Sequence, residues 1–205
     1  MRFGAPKLYH IILARVNTFG CDFRNFVCEF RNYLCEFLAT MGYNHGMTTK
    51  HTTTKRIAIY DMDGTIVCSL HRYRTIDDKI DLAYWRDNEY RAMDDSLLPL
   101  SAQYFADMAD ENCYVVIATA RILRDADNRF IAEYLGKPNA IISRKDGDTR
   151  SGGLLKILGL KKLFNLRQFA GIRDIIFYED NTSYLKAVCD YFNIRGVYIP
   201  SKQGH

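Results

Sequence analysis

From residue 55 to residue 199 the chain alternates short apolar runs with longer amphipathic ones, and this rhythm limits the folds open to it more than any single residue does. RIAIYD (56–61), CYVVIAT (113–119), AIIS (140–143), DIIFYE (174–179) and RGVYI (195–199) are short, apolar and rich in β-branched residues, so they read as strands. Residues 78–93, 99–110, 126–135, 153–158, 161–169 and 182–192 carry helical character between them. Pro99 breaks the first of these from the second, while Asp125 reads as a helix cap and Gly136 as a stop. Alternating strands and helices specify a parallel sheet with crossover helices, an α/β Rossmann-like three-layer sandwich around a central parallel sheet.

In such a sheet, polar groups just beyond the carboxyl ends of the strands converge on one crevice. Four strand ends here are chemically loaded. The first closes in Asp61-Met62-Asp63-Gly64-Thr65 and the second in Thr119-Ala120-Arg121. The third leads through Arg144 to Lys156, and the fourth closes in Glu179-Asp180-Asn181. A pair of aspartates before a glycine also builds calcium loops, but those need further acidic ligands at fixed spacing, and the downstream IVCSLHRY supplies none.

This layout resembles the haloacid dehalogenase-like (HAD) hydrolase superfamily over about residues 56–199. The chemistry it implies is phosphoryl transfer, in which an anionic nucleophile must approach an anionic ester and the site must concentrate positive charge. Asp61 is then nucleophile and metal ligand, and Asp63 general acid and later general base. Gly64 permits the sharp turn between them, with Thr65 expected to hydrogen-bond back and pin the loop. Thr119 and Lys156 would hold the phosphoryl oxygens. Asp61, Asp63, Asp180 and Glu179 form an all-oxygen ligand set, which suits Mg²⁺.

The spacing between these motifs leaves no room for a large cap domain, although residues 70–98 could form a modest lid. A narrower resemblance concerns Arg144-Lys145-Asp146-Gly147-Asp148-Thr149-Arg150, followed by Lys156, which is similar to the segment before the lysine in phage-type polynucleotide kinase 3′-phosphatase domains. It implies substrate-binding roles for Arg72, Arg121, Arg144 and Arg150. At one position the chain departs from that pattern, with Gly152 where those domains carry an acid. No G-x-x-x-x-G-K-[ST] phosphate loop occurs, so dephosphorylation alone is expected. The expected partner is a phosphorylated nucleic-acid end, with a nucleotide as the alternative. The competing readings are a 5′-nucleotidase or small-molecule phosphatase, and a binding module that kept the fold without the catalysis. Tyr73, Tyr84 and Trp85 could stack on bases or pack in a core.

Composition sets outer bounds. With 205 residues, 48% apolar residues and a net charge of +4, the chain suits one folded domain with a small appendage, and permits an acidic substrate without requiring one. Its six cysteines form no C-x-x-C pair, which argues against a zinc site and for a reducing, cytoplasmic setting. No apolar run is long enough to span a bilayer. Residues 1–46 differ from the rest: CDFRNFV, CEFRNYL and CEFLATM repeat over 21–41 and place Phe23, Phe26, Phe30 and Phe37 on one helical stripe. That segment reads either as a helix for docking or self-association or as leader sequence ahead of a start at Met47, with residues 47–205 as the phosphatase domain.

Overall fold

The structure, a computed structural model, describes residues 54–77 and 79–202. The repeat over 21–41, and the boundary expected at Met47, lie outside the described residues.

Strand β1 (Arg56–Tyr60) runs through the middle of a five-stranded sheet. Two two-residue strands, β2 (Val67–Cys68) and β5 (Ser96–Leu97), pair antiparallel, as do β3 (Thr75–Ile76) and β4 (Lys79–Ile80). The main sheet is completed by β6 (Cys113–Ile122), β7 (Ala140–Arg144), β8 (Asp174–Glu179) and β9 (Arg195–Tyr198), in the order β7-β6-β1-β8-β9. All of its pairings are parallel. Because β1 pairs with β6 on one side and β8 on the other, the chain reverses its direction of travel across the sheet at β1, and a crevice opens there at the strands' carboxyl ends.

Among the described residues five α-helices flank these strands: α1 (Leu82–Asp87), α2 (Ser101–Ala109), α3 (Asp125–Phe130), α4 (Gly152–Phe164) and α5 (Thr182–Phe192). Side chains of β1 alternate between the two faces, as a strand of period two must. Ala58 and Tyr60 join Tyr104 of α2 and Phe130 of α3 in one apolar cluster, while Ile57 and Ile59 join Leu160 of α4 and Val188 of α5 in the other. That is the expected three-layer sandwich. Each of the two isoleucines is fully buried, which stabilises the fold by about 1.5–3 kcal/mol apiece.

Local departures from the sequence reading have physical causes. Residues 78–93 do not form one helix. Strand β4, α1 and a 3₁₀ turn at Glu89–Asp94 divide the segment, and Asp81 caps α1 by accepting the N–H groups of Ala83 and Tyr84. Residues 153–158 and 161–169 expected as two helices are one helix to Phe164, followed by a 3₁₀ turn at Arg167–Phe169. Arg124, not Asp125, occupies the cap position of α3, and Asp127 accepts its backbone N–H at 3.0 Å. After α3 a π-helical turn, Ile131–Leu135, continues to Gly136, which ends it at φ +79°.

Candidate active site

At the end of β1 the backbone reverses. The N–H of Gly64 donates to the Val67 carbonyl at 2.8 Å, and those of Ile66 and Val67 donate to the Met62 carbonyl at 3.1 and 2.9 Å. Gly64 has φ +73°, and a Cβ there would fall 2.0 Å from Asp180 Oδ2, so no other residue allows this loop to pass so close to the β8 end. Thr65 does not pin the turn as expected, because its hydroxyl is buried without a hydrogen-bond partner and the three backbone bonds hold the loop instead.

Asp61 leaves β1 with its carboxylate buried, and Lys156 from the second turn of α4 reaches across to donate to Asp61 Oδ1 at 2.6 Å. The same ammonium donates to Glu179 Oε2, while Glu179 Oε1 accepts the Asn181 N–H at 3.1 Å. Oxygens of Asp61, Glu179 and Asp180 all lie within 4.8 Å of one another. Lys156 is 1% exposed. Burial would lower its pKa, but the facing Asp61 and Glu179 carboxylates raise it above the ordinary lysine value. The carboxyls respond oppositely: burial pushes Asp61, Glu179 and Asp180 all upward, Asp180 to about 6, and the neighbouring Asp61 charge adds to the shift on Asp180. Three buried carboxylates thus face one ammonium. This donor set, all oxygen and under-neutralised, fits a hard divalent cation such as Mg²⁺.

Asp63 stands apart from that trio. Ser69 Oγ donates to it at 2.7 Å, and Arg121 grips it with two donors, Nε to Oδ2 at 3.0 Å and Nη2 to Oδ1. Burial would raise the Asp63 pKa, but the Arg121 guanidinium outweighs it and holds the carboxyl below its ordinary range. Asp63, expected in the metal set, here has its oxygens bonded to Arg121 and Ser69.

Arg72, expected to bind substrate, lies behind the cavity lining. It is 0% exposed, bonds Asp95 at 2.9 and 2.7 Å and Asp127 at 3.2 Å, and is absent from the cavity wall. Arg121 shares both partners, with Nη1 donating to Asp127 Oδ1 at 2.6 Å and to Asp95 Oδ2 at 3.3 Å. Arg144 lines the cavity but spends its donors on the carbonyls of Ala120, Asp148 and Arg150, which fixes the 144–150 loop. Arg150 also lines it, paired with Asp148 at 2.8 and 2.5 Å. Thr119 is buried beneath the cavity, and its Oγ1 accepts the Arg121 N–H at 3.1 Å.

Gly152, the departure in the α4 approach, leaves room for the Tyr184 ring. A Cβ would meet the Tyr184 ring at 2.6 Å and the Ala120 Cβ at 3.1 Å. Lys156 is supported by Asp61 and Glu179 and sits 5.5 Å from the Tyr184 ring centroid. Sequence reading missed Asp95, Asp127, Ser69 and Tyr184. Only Asp127 left a local signal, an acid in the first turn of a helix.

The resulting cavity has a volume of about 480 Å³. One end carries Asp61, Lys156, Glu179 and Asp180; the lid segment contributes Tyr73, Ile80, Leu82, Trp85, Arg86 and Glu89. Among the described residues no helix is long and apolar enough to cross a membrane.

Comparison with known proteins adds three findings. A family model described as bacteriophage T5 5′-deoxynucleotidase matches residues 47–149. No curated protein sequence matches at significant similarity. Among solved structures, the Pnkp1/Rnl/Hen1 RNA repair complex aligns at 18% identity and TM-score 0.51, over 76% of this chain and 46% of that one. The haloacid dehalogenase-like protein SP0104 from Streptococcus pneumoniae aligns at 10% identity and TM-score 0.51, over 71% and 85%. CbbY from Rhodobacter sphaeroides, in complex with phosphate, aligns at 15% identity and TM-score 0.50, over 70% and 85%. At these identities the likeness is one of fold, and it is the HAD fold. The chain spans about half the length of the RNA-repair chains, 46% and 50% of them in two structures.

Proposed function

The chain belongs to the bacteriophage T5 5′-deoxynucleotidase family, and from that premise we propose that it is a Mg²⁺-dependent phosphomonoesterase that hydrolyses nucleoside 5′-monophosphates through an aspartyl-phosphate on Asp61. The observation that carries this reading is the cavity of about 480 Å³ with a lysine–carboxylate end and an aromatic and aliphatic lid wall. Its size and its division into a charged and an apolar part suit a phosphate joined to one sugar and one base.

Asp61, Asp180 and Glu179 are the residues to hold Mg²⁺, which when bound supplies the positive charge that the three carboxylates and the incoming phosphate lack. Lys156 partly offsets the burial and the Glu179 charge that push Asp61 upward, aligns it through its 2.6 Å bond and offers its own charge to the phosphoryl oxygens, with the Thr119 hydroxyl beside them. An Asp61 oxygen attacks phosphorus as the bond to the sugar oxygen breaks. Asp63 delivers a proton to that oxygen, then takes one from the water that attacks phosphorus, and the Asp61–phosphorus bond breaks to release inorganic phosphate. Since Arg121 holds Asp63 in its ionised form, the acid step requires Asp63 to leave Arg121 and take up a proton from solvent before it passes that proton to the leaving oxygen.

A second reading, the 3′-phosphate of a nucleic-acid end, is favoured by the placement of Arg144, Asp148, Thr149 and Arg150 along the cavity. Phosphate release with and without Mg²⁺ from nucleoside 5′-monophosphates, 3′-phosphorylated oligonucleotides and sugar phosphates separates them. The proposal expects Mg²⁺-dependent turnover with kcat/KM highest for the monophosphates; a higher value for the oligonucleotide would establish the second reading instead.

A further inference from the structure

Resting on the mononucleotide reading, we propose that Trp85 is the platform on which the substrate's base stacks, and that it sets the preference of the site for nucleotides over bare sugar phosphates. Trp85 lines the cavity from α1, yet belongs to neither apolar cluster of the core. A large aromatic ring outside the core, half-buried against charge, calls for an explanation other than packing.

That charge is specific. The Arg72 guanidinium lies over the indole at 4.4 Å from the ring centroid, and the Arg121 guanidinium at 5.1 Å. Both cations bond the same two oxygens, Asp95 Oδ2 and Asp127 Oδ1, so they stand side by side against a ring that also lines the cavity. Such backing fixes the indole before a ligand arrives, and a fixed platform loses less freedom on binding.

The neighbouring aromatics are placed differently. Tyr84 has its ring beneath the exposed Arg74, 4.5 Å away, and does not line the cavity. Tyr73 lines it close to the charge of Asp180, towards the phosphate end. Because every base presents a π-face, an indole platform accepts all of them, and it favours purines through their larger rings.

The test uses the full chain. Trp85 is its single tryptophan, so intrinsic fluorescence reports on this ring alone. With Ca²⁺ in place of Mg²⁺, a nucleoside monophosphate quenches it, whereas deoxyribose 5-phosphate and inorganic phosphate do not. With Mg²⁺, the ratio of kcat/KM for the nucleotide over deoxyribose 5-phosphate falls by roughly tenfold or more in Trp85→Ala, and Trp85→Phe restores most of it. A purely structural tryptophan would lower both substrates together and leave the ratio unchanged. If the wild-type chain prefers the nucleotide and Trp85→Ala keeps that preference, the platform is wrong while the mononucleotide reading stands. If the wild-type chain shows no preference, the mononucleotide reading itself fails and takes the platform with it.

Discussion

Two clusters of buried charge flank the end of β1, anchored two residues apart, and they are built to different rules. Asp61 opens a cluster in which three carboxylates, its own with those of Glu179 and Asp180, share one ammonium from Lys156. Asp63 opens another in which its carboxylate and those of Asp95 and Asp127 share two guanidiniums, and every acid there has at least one charged partner within 3.0 Å. The second cluster carries its cations in the sequence and therefore ties the lid to the core. The first is left short of positive charge, which is the property a site needs if it is to recruit a metal and a phosphate.

The comparison breaks most visibly at Asp61. Asp61→Asn removes the nucleophile, and Mg²⁺-dependent phosphate release should fall by roughly 10⁴-fold or more, measured under saturating nucleotide. Next in size is Arg121→Ala, which strips a buried cation from the compensated cluster and leaves Asp63, Asp95 and Asp127 under-neutralised. It should destabilise the fold by about 3–5 kcal/mol in urea unfolding. Arg121→Lys should recover only part of this, because a single ammonium cannot reproduce the fork that spans Asp63 and Asp127.

The smallest effect has the opposite sign and sharpens the contrast. Asp180 is raised to about 6, chiefly by burial and then by the Asp61 charge, from an ordinary value of 3.8. Between those two values the folded protein keeps a proton that the unfolded chain has released. This group's contribution to stability therefore falls as pH rises from about 4 to about 6, and is level above that. Metal-free Asp180→Asn should accordingly melt a few degrees higher than the wild-type chain at pH 7, with the difference vanishing towards pH 4. Added Mg²⁺ should raise the wild-type melting temperature more at pH 7 than at pH 5, and raise that of Asp180→Asn least, as read by scanning calorimetry.

Much of this was legible in the residues themselves. The alternation of short apolar strands with helices defined the sheet, and the sequence placed Asp61, Glu179 and Asp180 at strand ends, with Thr119 towards the end of β6 and Lys156 in the helix after β7, where the cavity brings them together. The roles of the arginines were not legible, because Arg72 finds Asp95 and Asp127, 23 and 55 residues away, through folding of the lid rather than through any local pattern. The Gly152 departure was equally opaque from sequence: the space beside its backbone is taken by the Tyr184 ring of α5. Helix boundaries in 78–93 slipped because the hairpin of β3 and β4 and the Asp81 cap divide a segment whose composition suits a helix.

The account turns on phosphorus becoming bonded to Asp61. Rapid acid quench of the Mg²⁺-loaded chain during turnover of a nucleoside monophosphate, followed by peptide mass spectrometry, tests this directly. The expected result is one added phosphoryl group on the peptide containing Asp61, present in the wild-type chain and missing from Asp61→Asn. Undiminished turnover in Asp61→Asn, or a phosphoryl group found on any other residue, would contradict it.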